Sequence, residues 1–170
     1  YDMDKAREYL AKSSVPDGFS ATIITDNDTI RMNCALSLQA SAKELGIDLE
    51  IEKLTYDELI TRAFSGERDY QIMVNNWGSD FPDPDGDISP NFQSVNCGDG
   101  GSNFGNYRNA SVDELLDEQR HLADDKERVR LMTEALSIIA EDSPWITVNF
   151  PKQIMAKQKN VEGYDITPLW

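Results

Sequence analysis

Apolar residues along this chain switch between two spacings, and the switch points outline a fold. Phe19 to Thr25 alternates enough for a strand, ending in Ile23-Ile24-Thr25. Ile47, Leu49 and Ile51 alternate with Asp48, Glu50 and Glu52, which predicts a strand with one buried face. Tyr70 to Trp77 has a nearly continuous apolar centre, Ile72-Met73-Val74, as a buried central strand would. Helical spacing fills the gaps. Met32, Ala35, Leu36, Leu38, Gln39, Ala42 and Leu45 follow an entry at Asp26-Asn27-Asp28-Thr29 and stop at Gly46. Leu59, Ile60, Ala63 and Phe64 follow the capping box Thr55-Tyr56-Asp57-Glu58 and stop at Gly66. A helix over 2–12, capped by Asp2 or Asp4, carries Ala6, Tyr9 and Leu10 on its apolar face. The order β-α-β-α-β predicts an α/β domain with a largely parallel sheet flanked by helices. Ligands of such sheets gather beyond the carboxyl ends of the strands. That singles out residues 25–31 and 77–87, which both follow strands and are expected to face one crevice.

The second half reads differently. Residues 78–110 are rich in Gly, Asn and Pro and predict a long ordered loop. Ser111-Val112-Asp113-Glu114 is a second capping box, opening a helix with Val112, Leu115, Leu116 and Leu122. The next helix, over 125–141, turns Val129, Met132, Ala135, Leu136 and Ile139 inward, and Pro144 follows its end. Residues 145–150 and 153–157 predict two short strands, and the tail to Trp170 is turn-like.

Composition narrows the function. A chain of 170 residues, 39% hydrophobic and 28% charged, fits one globular domain. Its net charge of −15 makes nucleic acid a poor partner. No apolar run reaches the roughly eighteen residues of a membrane span. The chain opens at Tyr1-Asp2 directly in a helical pattern, like an internal piece of a longer protein. Cys34 and Cys97 fit no metal spacing, and the sequence leaves open whether they are two independent thiols or a disulfide.

The chemistry concentrates in residues 77–87, where four carboxylates, two prolines and two glycines join aromatic rings. A calcium loop fails, because Gly86 in the glycine slot puts Phe81 and Phe92 at the first and last ligand positions. No metal site is predicted. Asp80, Asp83, Asp85 and Asp87 supply candidates for an acid–base pair, but Asp83, Asp85 and Asp87 read more naturally as turn residues beside proline. His121, the lone histidine, reads as a surface residue. No nucleophile elbow, phosphate loop or dinucleotide fingerprint occurs, so no cofactor is predicted. Trp77 and Asp80 stand out as an apolar wall and a counter-charge. Charge-assisted hydrogen bonds from an ammonium group to a desolvated carboxylate contribute about 1.5–3 kcal/mol each, and Trp77 adds scope for a cation–π contact.

The motifs together resemble the family 5 extracytoplasmic solute-binding proteins, the dipeptide- and oligopeptide-binding subunits of bacterial ABC importers. Tyr1-Asp2-Met3-Asp4-Lys5-Ala6 is similar to the family's "YDPEKA" helix start, and Pro16-Asp17-Gly18-Phe19 to its "PDGF" turn. Lys43 to Leu49 resembles its "LGI" helix-to-strand passage, and Trp77 to Pro84 its "WGADYPDP" loop. Asn106-Tyr107-Arg108-Asn109 with Val112 to Leu116, Glu141 to Ile146, and Val161 to Tyr164 match later landmarks. The resemblance implies a periplasmic-binding-protein type II-like lobe, residues 1–170 being one lobe of a two-lobed protein. It implies capture of a peptide or related small solute and hand-over to a membrane permease. The protein is then a monomer without enzymatic activity, in the periplasm or lipid-anchored on the outer face of the cell membrane. Asp80 matches the aspartate that pairs with a peptide's α-amino group, Trp77 a pocket tryptophan, and Gly78, Ser79 and Phe81 complete the ligand-binding segment. In some dipeptide binders an arginine just after the earlier strand takes the peptide carboxylate. Here Thr25-Asp26-Asn27-Asp28, with Arg31 a few positions on, departs from that pattern and leaves longer or cationic peptides open. Two other readings stand beside this one: a carboxylate-dependent hydrolase using residues 80–87, and a non-transport sensor on the same fold.

Overall fold

A six-residue strand, β1 (Ser20–Thr25), organises the first half of the computed structural model, which describes residues 2–67, 69–150, 152 and 154–163. It lies between β2 (Asp48–Lys53) and β3 (Ile72–Met73), both parallel to it. Ile23 pairs with Ile51 on one side and Ile72 on the other. Helices α1 (Met3–Ala11), α2 (Thr29–Lys43) and α3 (Tyr56–Phe64) complete this half. Successive strand side chains point to opposite faces. Ile23 therefore joins Ala21, Ala35, Ala42 and Leu49 in one core, whereas Ile24 joins Leu59 and Tyr70 in another. The β1 isoleucines are fully buried, as expected of a parallel strand covered on both faces.

Side chains that can cap set the helix entries. Asp2 accepts from Lys5 N–H, Asp28 from the Ile30 and Arg31 N–H groups, and Thr55 with Glu58 forms the predicted capping box. Before β1, Gly18 has φ +99°, and a Cβ there would collide with the Gly46 carbonyl. Only glycine lets the two strand-entry loops meet this closely. No described residue of α1 is buried, and Tyr9 stands 66% exposed.

The expected central strand over 70–77 is instead a two-residue edge strand, and β1 is central. The reason lies in its partner. β1 ends at Thr25, and after the Val74 N–H bonds Ile24 O at 3.0 Å the ladder has run out. The Thr25 hydroxyl then donates to the Val74 carbonyl at 3.3 Å.

The chain divides into two units, 1–76 and 77–170. In the second, the expected loop over 78–110 contains helix α4 (Asp85–Phe92) and a 3-10 turn at Ser94–Asn96. Helices α5 (Ala110–Arg120) and α6 (Asp125–Asp142) follow. Ile88 and Phe92 of α4, Val112 and Leu116 of α5, and Met132, Ala135 and Ile139 of α6 make one core. Asn109 caps α5 through the Ser111 and Val112 N–H groups, so the capping box predicted at Ser111 does not form. Asp113 of that box accepts instead from Ser94 N–H at 2.8 Å. Leu131 is buried on α6, while Val129 and Leu136, expected inward, are exposed. Residues 145–150 form no strand, nor do the described residues among 153–157. Gln153 and the expected turn-like tail from Tyr164 lie outside the described residues. Both cysteines are free thiols, and His121 is exposed as the C-cap of α5. Among the described residues, no helix is long and apolar enough to cross a membrane.

Candidate functional site

The segment Trp77–Phe81 opens the second unit. The Ser79 hydroxyl donates to Phe81 O at 2.6 Å and accepts from Phe81 N–H at 3.4 Å, closing a tight turn around Asp80. Three of the five candidate residues converge on Gly86 in the first turn of α4. The Trp77 indole N–H donates to Gly86 O at a long 3.4 Å. A Cβ at position 86 would collide with Ser79 Oγ and come within 2.9 Å of Phe81 Cζ. Trp77 is half-buried, with Phe104 edge-on at 6.4 Å between centroids. Gly78, Asp80 and Phe81 are exposed. Among the described residues, none hydrogen bonds to or ion-pairs with the Asp80 carboxylate.

The neighbouring carboxylates are placed otherwise. Asp83 accepts from Asp85 N–H at 2.9 Å and pairs with Arg128 at 3.0 Å. The Asp85 amide first, and Arg128 after it, hold the Asp83 carboxyl below the usual aspartate range. Asp85 and Asp87 lie in the first turn of α4, where the helix dipole favours negative charge. Asp85 accepts from Gln119 Nε2 at 2.7 Å, from Arg120 Nε at 3.1 Å and from the Ser89 hydroxyl. Gln119 is fully buried, and its carbonyl accepts from Arg128 Nε and Nη2 at 3.2 and 3.1 Å. A chain of polar contacts, Asp83–Arg128–Gln119–Asp85–Arg120, thus ties the approach to α4 onto α5 and α6. Turn chemistry accounts for Asp83 but understates Asp85, whose partners lie 34 and 35 residues away in sequence.

In the first unit, residues 25–31 hold a different constellation. Asp26, 1% exposed, takes Arg31 Nε at 2.9 Å and Nη2 at 2.6 Å. Arg31 Nη1 donates to Asn76 Oδ1 at 2.6 Å, and the guanidinium lies 5.9 Å from the Tyr56 ring centre. The Arg31 hydrogen bonds lower the Asp26 pKa, and Asp26 in turn raises that of Arg31. Both forks of Arg31 are therefore engaged in holding the ends of β1 and β3.

Gly86, Pro90, Gln119 and Arg128 escape sequence reasoning as contributors to this loop. One signal was available. Proline four residues after a glycine removes the N–H that would bond the glycine carbonyl within a helix. The other contacts span long sequence separations and leave no local trace. Among the described residues, no three His, Cys, Asp or Glu side chains are arranged to hold a metal ion.

The family model described as bacterial extracellular solute-binding proteins, family 5 middle, matches residues 1–99. Di/tripeptide-binding protein 4 of Pseudomonas aeruginosa strain UCBPP-PA14 is 32% identical over 174 residues, covering 99% of this chain and 32% of that protein. Glutathione-binding protein GsiB of Salmonella typhi is 30% identical over 172 residues, covering 99% and 34%. The chain spans about a third of the length of these relatives. Among solved structures, DppA from Helicobacter pylori in complex with peptide STSA superposes with a TM-score of 0.76 at 30% identity, covering 85% of this chain and 28% of that one. AppA from Bacillus subtilis in complex with a nonapeptide gives 0.73 at 25%, covering 85% and 30%. The fold is of the type II periplasmic-binding-protein class, a parallel sheet flanked by helices.

Proposed function

This chain belongs to the bacterial extracellular solute-binding proteins of family 5, and from that premise we propose that it supplies one lobe of a peptide-capturing subunit of an ABC importer. Solute-binding proteins of this family are not enzymes, and no cofactor enters the reading. The subunit acts outside the cytoplasm as a monomer, closes over a peptide, and docks on a membrane permease. Closure is favoured only by contacts that the peptide makes in the closed state alone.

One observation carries the proposal. The Asp80 carboxylate is exposed and has no partner among the described residues, whereas Asp83 and Asp85 of the same loop are bound to Arg128 and Arg120. It is read as the acceptor for a peptide's α-ammonium group, with Trp77, Gly78, Ser79 and Phe81 framing it. The relatives named for di- and tripeptides, and the solved structures holding peptides, support that choice of ligand. Of the other three carboxylates a hydrolase could use, Asp83 and Asp85 are bound to Arg128 and Arg120, and only Asp87 has no partner among the described residues.

The test is calorimetry on the full-length protein. Asp80→Asn weakens binding of a peptide with a free amino terminus at least about tenfold, or about 1.4 kcal/mol. N-acetylating the peptide costs the parent protein a similar factor. Unchanged affinity in both measurements would overturn the role of Asp80.

A further inference from the structure

Helix α4 contains a proline where its hydrogen-bond ladder needs a donor. Pro90 has no N–H, so the Gly86 carbonyl, four residues earlier, lacks its helical partner. The Trp77 indole N–H bonds that same carbonyl. On the same residue, the missing side chain of Gly86 leaves the space that Ser79 Oγ and the Phe81 ring occupy. Glycine and proline are the two least helix-favouring residues. An eight-residue helix carrying both is poorly explained by helix stability. It is explained if the first turn of α4 serves as a seat for the preceding loop.

We propose that Gly86 and Pro90 are positioning residues for ligand binding. Gly86 provides the space, and Pro90 frees the carbonyl, that together fix Trp77, Ser79 and Phe81 on α4 so that Asp80 is presented to the ligand. The inference rests on the reading of Asp80 as the ligand's anchor. It assigns Gly86 and Pro90 no contact with the ligand; they act through Trp77, Ser79 and Phe81. An Ala at 86 pushes the Ser79–Phe81 turn off its seat. An Ala at 90 restores an N–H that competes with Trp77 for Gly86 O.

The experiment uses the full-length protein and trialanine, with affinity by calorimetry and thermal stability by circular dichroism. Pro90→Ala raises helix propensity, so a purely structural role predicts unchanged or improved stability and unchanged affinity for that variant, whereas the collision in Gly86→Ala lowers stability under either role. The proposal predicts undiminished thermal stability for Pro90→Ala with affinity lower by about threefold, and affinity lower by about tenfold for Gly86→Ala measured where that variant is fully folded. A double-mutant cycle isolates the shared contact. Trp77→Phe keeps a ring but deletes the N–H, so it loses affinity alone and loses little more when added to Pro90→Ala. Parent-like affinity in both alanine variants, or fully additive losses in the cycle, would overturn the proposal. If Asp80→Asn weakens trialanine binding while these results appear, the functional reading stands and only the positioning role falls. If Asp80→Asn has no effect, both fall together.

Discussion

Tyr107 shows how one hydroxyl can link two segments. Its OH donates to Asp142 Oδ2 at 2.6 Å at the end of α6, and Asn109 Nδ2 reaches the same oxygen at 3.0 Å. Burial, and then the Asp142 carboxylate, push the Tyr107 pKa from 10.0 up to about 12. A folded-state pKa above the unfolded value contributes stability that is fully present below the unfolded pKa and lost as pH rises through the folded one. The parent protein therefore loses stability between pH 10 and about 12. Tyr107→Phe should flatten that part of the curve in urea titrations across the range, and an identical alkaline slope in the variant would count against the linkage. Asp142 supplied a landmark in the sequence and Tyr107 another, yet their pairing was not legible. Nothing local joins positions 35 residues apart. Asp2, Asp28 and the Thr55–Glu58 box were legible because a cap and its N–H groups lie within three residues.

At the scale of elements, α4 is held by polar contacts as much as by its apolar face. Gln119 is the middle of that arrangement, giving its NH2 to Asp85 and its carbonyl to Arg128. Gln119→Met keeps the shape but leaves Asp85 and Arg128 each short of a partner. A hydrogen bond to a charged group contributes about 1.5–3 kcal/mol, so the midpoint of urea unfolding should fall, and an unchanged midpoint would count against this role of Gln119. The same scale separates what periodicity can and cannot read. It found α2, α3, α5 and α6 within a few residues, because each buries a stripe. It missed α4, where Gly86 and Pro90 carry the sequence marks of a loop. It also overextended β3 and predicted strands over 145–157. Alternating side chains define a face, whereas a strand requires a neighbouring edge. Ile146, Val148 and Phe150 alternate yet stand 77%, 63% and 88% exposed, with no ladder among the described residues.

At the scale of the molecule, the chain spans about a third of its curated relatives, and the proposed capture of peptide needs a second lobe. The 170-residue chain alone should accordingly bind trialanine more weakly than about 1 µM, some 8 kcal/mol. Submicromolar binding by calorimetry would show that one lobe suffices. The family and the α/β class were legible from the order of many modest motifs, each weak alone. Asp80 stood out in the sequence as a candidate, but its lack of partners became visible only once Asp83 and Asp85 had theirs. Strand β1 carries one further consequence. Its neighbours Ile23 and Ile24 serve separate cores, so which core a side chain enters depends on whether its position is odd or even. Substitution there alters the filling of one core. A single-residue insertion or deletion exchanges the two faces for every position beyond it. A variant can thus change the identity of a β1 residue within limits of volume, whereas a change in the length of β1 reassigns both cores at once.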